Sequence, residues 1–297
     1  MTMDLYSHLF ATVWPVFAVI GLGAAAGRWR PLSIAPLIDF VVYIAQPALV
    51  IHVLTRHPMP GEGLAQTALA AVFVVTFVGL LSGGWSLLSR NVGRDVLVCA
   101  MFANVANLPL PLAEYAFGPE GLSYQVVYMA VSAMLLYSVG VAIAAGGGWQ
   151  HGLKTLLRMP MVYAAGLGFA LSMTGATLPT FASRPVELLG NTAIPLLLFC
   201  LGHSMSTLGA KSLWSAFPSA ALRILGGLAG GLVYVAIVAP SQPVVRAVLL
   251  GSAMPCAVQT YMLCSKFSAN PERAAAAVFL STALAFLYIP ILVWFLL

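Results

Sequence analysis

Charge is what this chain has least of. Of its 297 residues 7% are charged and 61% hydrophobic, with a mean hydropathy of +0.98. A soluble domain is about a quarter charged, so a water-exposed globule is excluded and the chain is read as integral to a lipid bilayer. No run of Lys and Arg resembles a nucleic-acid patch, so no nucleic-acid partner is expected. The net charge of +5 fits basic cytoplasmic loops instead. Cysteine is scarce, and Cys99, Cys200, Cys256 and Cys264 all sit in apolar stretches. Their spacings match no metal site and no CxxC pair, so they should pack as small hydrophobes. Also missing are HExxH, GxSxG and Walker patterns, and any polar segment long enough for a soluble catalytic domain. No enzyme activity, cofactor or metal is therefore expected, and no ATP-driven pump. Met1–His8 carries Asp4 but no basic start and no small-residue cleavage site, so the first apolar run reads as a retained span.

What fills the chain is apolar runs, at about 8–27, 34–54, 64–88, 96–116, 122–145, 160–176, 186–206, 213–238, 244–265 and 274–296. They are too long and unbroken for barrel strands, so the class is all-α. Ten spans in two halves of five imply an inverted repeat, because an odd number of crossings flips the second half. The halves are 1–146 and 159–297, joined by a cytoplasmic linker, 147–158. With both termini outside, nine Lys and Arg fall in inner loops and three in outer ones, the orientation the positive-inside rule favours. Arg223 lies within the eighth run and is expected to snorkel to the inner face. The first span is rich in Gly and Ala, which allow close helix approach.

The fourth run holds the sharpest signal, FANVANLPLPLAEY over Phe102–Tyr115. Two amides, Asn104 and Asn107, are followed by Pro109 and Pro111, which each remove a donor and disturb the preceding turn. Unwinding is expected around 104–111. In hydrocarbon such backbone survives only inside protein or beside a wet cavity. A shift of 152 residues lays Arg94 on Arg246 and Pro119-Glu120 on Pro271-Glu272, with GSAMPCAVQTYML between the second set. Asn104 and Asn107 then overlay Cys256 and Gln259, with Pro255 at mid-span and unwinding expected around 251–255. Matched broken spans in two halves are the best sequence pointer to a carrier's binding site. Polar-then-proline pairs also mark the second run (Gln46-Pro47) and the seventh (Asn191 to Pro195).

Several of these stretches resemble the auxin efflux carrier family, which includes bacterial permeases and plant PIN-type carriers. The matching residues are Pro15-Val16-Phe17-Ala18 with Gly27-Arg28, Ala103 to Leu108 with Pro111-Leu112, and Leu178-Pro179. LLGNTAIPLLLFCLGHSMS, SAMPCAV, and Ala274–Leu280 with Ser281-Thr282 complete the set. The resemblance implies a ten-helix fold of two inverted repeats, similar to bile-acid symporters and sodium/proton antiporters, with helices four and nine broken and crossing at mid-membrane. It further implies a scaffold of spans one, two, six and seven, and a moving unit of three to five with eight to ten. Ala103 stands where plant members have proline, Pro109 where members usually have glycine, and the long hydrophilic plant loop is absent. Those departures favour a bacterial-type permease of the inner membrane.

The expected activity is secondary transport of small organic anions by alternating access. Mono- and dicarboxylates of malonate or malate size are the family-level substrates, ahead of auxin-like indole acids. Two newly exposed helix starts meeting at the crossing would favour a carboxylate. Substrate contacts are assigned to Asn104, Asn107, Pro255, Cys256 and Gln259. Asp39 and His203 are candidates for coupling, by intramembrane charge and by titration respectively. Glu114 and Lys266 are expected at opposite interfaces. A proton or sodium partner stays open, as do a homodimer, a sodium-coupled symporter of bile-acid type and a non-transport sensor.

Overall fold

The computed structural model describes residues 2–29, 32–56, 63–88, 93–106, 108–146, 154, 157–158, 160–206 and 210–297. Asn107 lies outside them. The helices of the first half are α1 (Thr2–Trp29), α2 (Ala35–Arg56), α3 (Leu64–Leu88) and α4 (Arg94–Met101). The stretch Pro109–Leu135 contains Gly118 at φ 72° and ψ −167°, a conformation open to glycine. That residue divides α5 (109–117) from α6 (119–145). In the second half come α7 (Pro160–Thr174), α8 (Thr180–Met205), α9 (210–238), α10 (Gln242–Ser252), α11 (Val258–Lys266) and α12 (Pro271–Leu296). No strand occurs among the described residues. Six helical stretches, the longest Pro109–Ala145, are long and apolar enough to cross a bilayer. The chain is thus a multi-pass, all-helical membrane protein.

Three helices contain a π turn: Val41–Ala45 in α2, Leu136–Gly140 in α6 and Leu222–Gly226 in α9. The first has a local cause. Pro47 lacks an N–H and crowds the preceding turn, and the backbone widens so that Gln46 N reaches back five residues to Val41 O.

The fourth and ninth apolar runs are each two short helices with an extended link. Helix α4 ends where Phe102 turns extended (φ −108°, ψ 119°). Pro109 and Pro111 then occupy the first turn of α5, where a missing N–H costs no helical bond. The described part of the unwound segment is therefore 102–106, ahead of the prolines rather than around 104–111. In the second half α10 continues helical through Gly251 and Ser252, and the link is 253–257, with Pro255 in its middle. The two links pair as a single antiparallel bridge, Ala103 with Cys256. Asn104 N donates to Pro255 O (2.7 Å) and Ala257 N to Phe102 O (3.0 Å). Each break thereby satisfies backbone groups that the other leaves open.

Equivalent positions 152 residues apart do equivalent work. Arg94 Nη1 donates to Ala144 O and Ala145 O, capping the C-terminal end of α6. Arg246 Nε does the same for α12 through Leu296 O. Gly118 and Asn270, both at positive φ, precede the Pro-Glu that opens α6 and α12. Exchanging the halves turns the pair Ala103/Cys256 into Asn104/Pro255, which lies in the same antiparallel register.

Packing sorts the helices into two groups. Helix α1 lies along α8, and α2 packs on α7 and α8. The others pack mainly on one another: α3 on α6 and α9, α10 on α5 and α6, α12 on α9 and α11. The α1–α8 seam is backbone to backbone. A Cβ on Gly202 would lie 1.9 Å from Ile20 O, and one on Gly23 2.1 Å from Phe199 O. Removing side chains there lets dispersion act between main chains, the usual way helices associate in lipid.

Candidate functional site

A cavity of about 200 Å³ opens beside the paired links, between α2 and α6 on one side and the crossing on the other. Its walls are mainly apolar (Leu49, Val75, Phe102, Met129 and Leu136 among them). The polar side chains set into them include Gln46, Asn104, Ser132, Tyr137, Arg223 and Gln259. Of the five substrate contacts expected from sequence, Asn104 and Gln259 line this cavity. Pro255 and Cys256 are fully buried in the link, where Pro255 O holds Asn104 N and Cys256 N donates to Ser281 Oγ at 3.0 Å. They position the crossing and do not line the cavity. Asn104 is 6% exposed with its backbone pinned by that bond, which fixes the point on the wall from which its side chain projects.

Arg223 is the largest correction to the sequence reading. It does not snorkel: it is 1% exposed and points across α9 into the crossing. Nη1 donates to Ala100 O (3.1 Å) and Met101 O (2.7 Å), Nη2 to Ser252 O (2.8 Å). Those carbonyls are the last of α4 and α10, the negative ends of two half-helices. A guanidinium fork suits several acceptors at once, so one side chain ties both breaks together.

Gln46 Nε2 donates to Tyr137 Oη at 2.6 Å, joining α2 to α6. Three cavity-lining groups are buried without a hydrogen-bond partner: Gln46 Oε1, Ser132 Oγ and Arg223 Nε. Unpaired buried polar atoms cost free energy, and a ligand or water at the wall would recover it. Gln46 follows the π turn of α2, while Tyr137 and Arg223 lie within those of α6 and α9. π turns concentrate at functional sites, and here each delivers one polar group to the same space.

The expected pair of donor-rich helix starts is only partly present. In α5, Pro109 and Pro111 have no N–H, and the two remaining donors of the first turn are taken: Leu110 N by Ala106 O and Leu112 N by Leu108 O. Its first turn, 109–112, therefore offers an anion no free N–H.

Asp39 and His203 lie away from the cavity. Lys266 Nζ donates to Asp39 Oδ1 at 2.6 Å, with the Asp39 side chain 54% exposed. Asp39 thus shares the surface level of Lys266 instead of lying deeper. His203 Nε2 accepts from Leu32 N at 3.2 Å. Glu114 is exposed. Asp95 is buried and ion-paired with Arg273, tying α4 to α12. The four cysteines are free and buried, and no cluster of three or more His, Cys, Asp or Glu that could hold a metal is found among the described residues.

Compared with known proteins, residues 8–151 and 149–293 match the family described as Membrane transport protein. An uncharacterized transporter of Methanocaldococcus jannaschii is 25% identical over 274 residues, covering 87% of this chain and 88% of that one. An uncharacterized transporter of Methanothermobacter thermautotrophicus is 26% identical over 264 residues, covering 84% and 85%.

Proposed function

We propose, for a chain that belongs to the membrane transport protein family of auxin efflux carriers, that it is a secondary carrier of small organic anions working by alternating access. The observation that carries this reading is the crossing. Two interrupted helices are hydrogen-bonded to each other, and amides from both, Asn104 and Gln259, line one cavity. Irregular backbone survives in a membrane only where it is buried in protein or lines a cavity, and paired broken spans of this kind are how many secondary transporters build a substrate site. The lining offers amide, hydroxyl and guanidinium donors, and no acidic side chain among the described residues. That set suits a carboxylate. A volume of about 200 Å³ is large enough for a mono- or dicarboxylate of malonate or malate size.

The 152-residue equivalences support two repeats of five spans in inverted orientation, with both termini outside and helices α4–α5 and α10–α11 crossing at mid-membrane. The packing groups suit a scaffold of α1, α2, α7 and α8 against a moving unit of the rest. The ion pair Asp39–Lys266 joins α2 to α11, across the two groups, so it sits where coupling to a proton would be felt.

Uptake of labelled lactate, malonate and malate into proteoliposomes tests the reading, with proton and sodium gradients imposed separately and protein-free vesicles as blanks. Saturable uptake of at least one is expected. Uptake indistinguishable from the blanks for every acid, from protein that elutes as a single folded species, would overturn it. Sodium-driven uptake would favour a bile-acid-type symporter.

A further inference from the structure

We infer that two hydrogen bonds, Gln46 to Tyr137 and Tyr261 with Ser204, form a gate that closes the cavity on one side and leaves it reachable from the other. The inference goes beyond the carrier reading above, and rests on it only for the two packing groups that the gate joins.

The closed side follows from which helix ends meet. Lys266, at the end of α11, bonds Asp39 near the start of α2. His203, near the end of α8, accepts from Leu32 N, just ahead of α2. Helix α11 also packs on the last residues of α6, 141–145. One face therefore gathers the start of α2 and the ends of α6, α8 and α11. The linker follows from that end of α6 in sequence, so this is the linker face.

The cavity runs away from it. On α2 its walls are Gln46, Leu49, Val50 and Leu54, and on α6 they extend from Tyr128 to Tyr137. Gln46 is thus the lining residue of α2 nearest the linker face, and Tyr137 that of α6. Those two are bonded to each other at 2.6 Å, and the bond is the floor of the cavity. A second closure lies beneath it. Tyr261 of α11 is fully buried, donates to Cys200 O of α8 at 3.2 Å and is hydrogen-bonded to Ser204 Oγ. Ile194 of α8 and Gln259 of α11, which line the cavity, both precede this contact on the way to the linker face. The ion pair Asp39–Lys266 is outermost. At 54% and 24% side-chain exposure it is screened by water and adds little.

Each buried bond spans the two packing groups, α2 to α6 and α8 to α11, so the cavity reaches the linker face only after both break. Neutral hydrogen bonds suit that task. Each partner regains water when the gate opens, so the net worth of one bond is about twofold to tenfold in an equilibrium. That biases the resting state without locking it. A purely structural role predicts something different: removing either tyrosine hydroxyl would lower stability and leave access to the cavity unchanged from both faces.

The test is side-specific thiol labelling in the membrane. Ala133, half-buried in the cavity wall, becomes the reporter as Ala133→Cys, and the native cysteines are buried. Lys154→Cys in the linker and Thr177→Cys between α7 and α8 mark the two faces. An impermeant methanethiosulfonate is applied to intact cells and to inverted vesicles, and the markers identify the face each preparation exposes. Ala133→Cys should react at least about tenfold faster from the Thr177 face than from the linker face, since two bonds oppose the second route. Adding Tyr261→Phe or Tyr137→Phe, which keep the ring and lose the hydroxyl, should raise the linker-face rate about twofold to tenfold each, and more together. Equal rates from the two faces without those changes overturn the inference, and need no gate variant to fold. So does an unchanged linker-face rate in monodisperse single and double Phe variants. Labelling needs no ligand, so side-specific labelling without uptake of any acid sinks the carrier reading and leaves the gate standing.

Discussion

At the scale of single residues the site turns on whether a side chain touches the ligand or holds the backbone that does. Asn104 does both, because its N–H is bonded to Pro255 O while its side chain lines the cavity. Substituting the side chain leaves the main-chain bond in place, so the two roles separate. Asn104→Asp keeps size and puts a negative charge against a carboxylate. Losing one charged hydrogen bond costs about 1.5–3 kcal/mol, which is about tenfold to over a hundredfold in affinity, and repulsion adds to it. Asn104→Ala should therefore weaken lactate or malonate binding less than Asn104→Asp. Equal losses in the two variants, both with unchanged thermal unfolding, would mean that Asn104 only packs helices. Gln46→Leu offers a second reading of the same wall. It removes the bond to Tyr137 Oη together with the unpaired Oε1, so stability should change little while binding falls.

At the scale of elements the close seam between α1 and α8 makes a prediction with a built-in control. Gly202→Ala drives a methyl into Ile20 O, and Gly23→Ala drives one into Phe199 O. Backbone cannot step aside as a flexible side chain can, so each should destabilise by about 3 kcal/mol, the upper end of the usual range for overpacking. Gly21, two residues away, has nothing within 4 Å of where its Cβ would be. There Gly→Ala should be neutral or gain some of the about 1 kcal/mol by which Ala exceeds Gly in helices. Thermal unfolding in detergent decides between the three, and a Gly21→Ala that unfolds as early as Gly202→Ala would contradict the seam.

Elements also show what could be seen in the residues beforehand. The two breaks were legible because an apolar run that stays helical in lipid has little use for proline and amide together. Their edges were not, since proline is as comfortable in the first turn of a helix as in a loop, and Pro109 took the former place. The pairing of α1 with α8 was half visible as glycine content, without its partner. Arg223 was invisible as a site residue. Its partners are main-chain carbonyls more than 120 positions away (Ala100 and Met101) or 29 away (Ser252), and a carbonyl looks the same under every side chain. Gln46 and Tyr137, 91 apart, show the same limit. The π turns that present these groups leave no mark in periodicity beyond the proline at position 47.

At the scale of the whole molecule, alternating access requires the two packing groups to move as bodies, and a covalent tie between them is the direct test. Asp39 on α2 and Lys266 on α11 are bonded at 2.6 Å across the boundary, and both remain reachable from outside the protein, at 54% and 24% side-chain exposure. The four native cysteines are buried, so thiol reagents should find an Asp39→Cys/Lys266→Cys pair first. A short bifunctional thiol cross-linker should then stop uptake, and a cleavable one should restore it on reduction. Ligand binding should survive, because the tie is remote from the cavity walls. The uncross-linked double variant supplies the baseline, and a drop there reports what the ion pair itself contributes to coupling. Should the cross-linked protein carry lactate or malonate at the baseline rate, α2 and α11 do not separate during the cycle. The scaffold and the moving unit would then have to be divided along another seam, with α6 and α7 as the next boundary to tie, since they pack lightly across the same division.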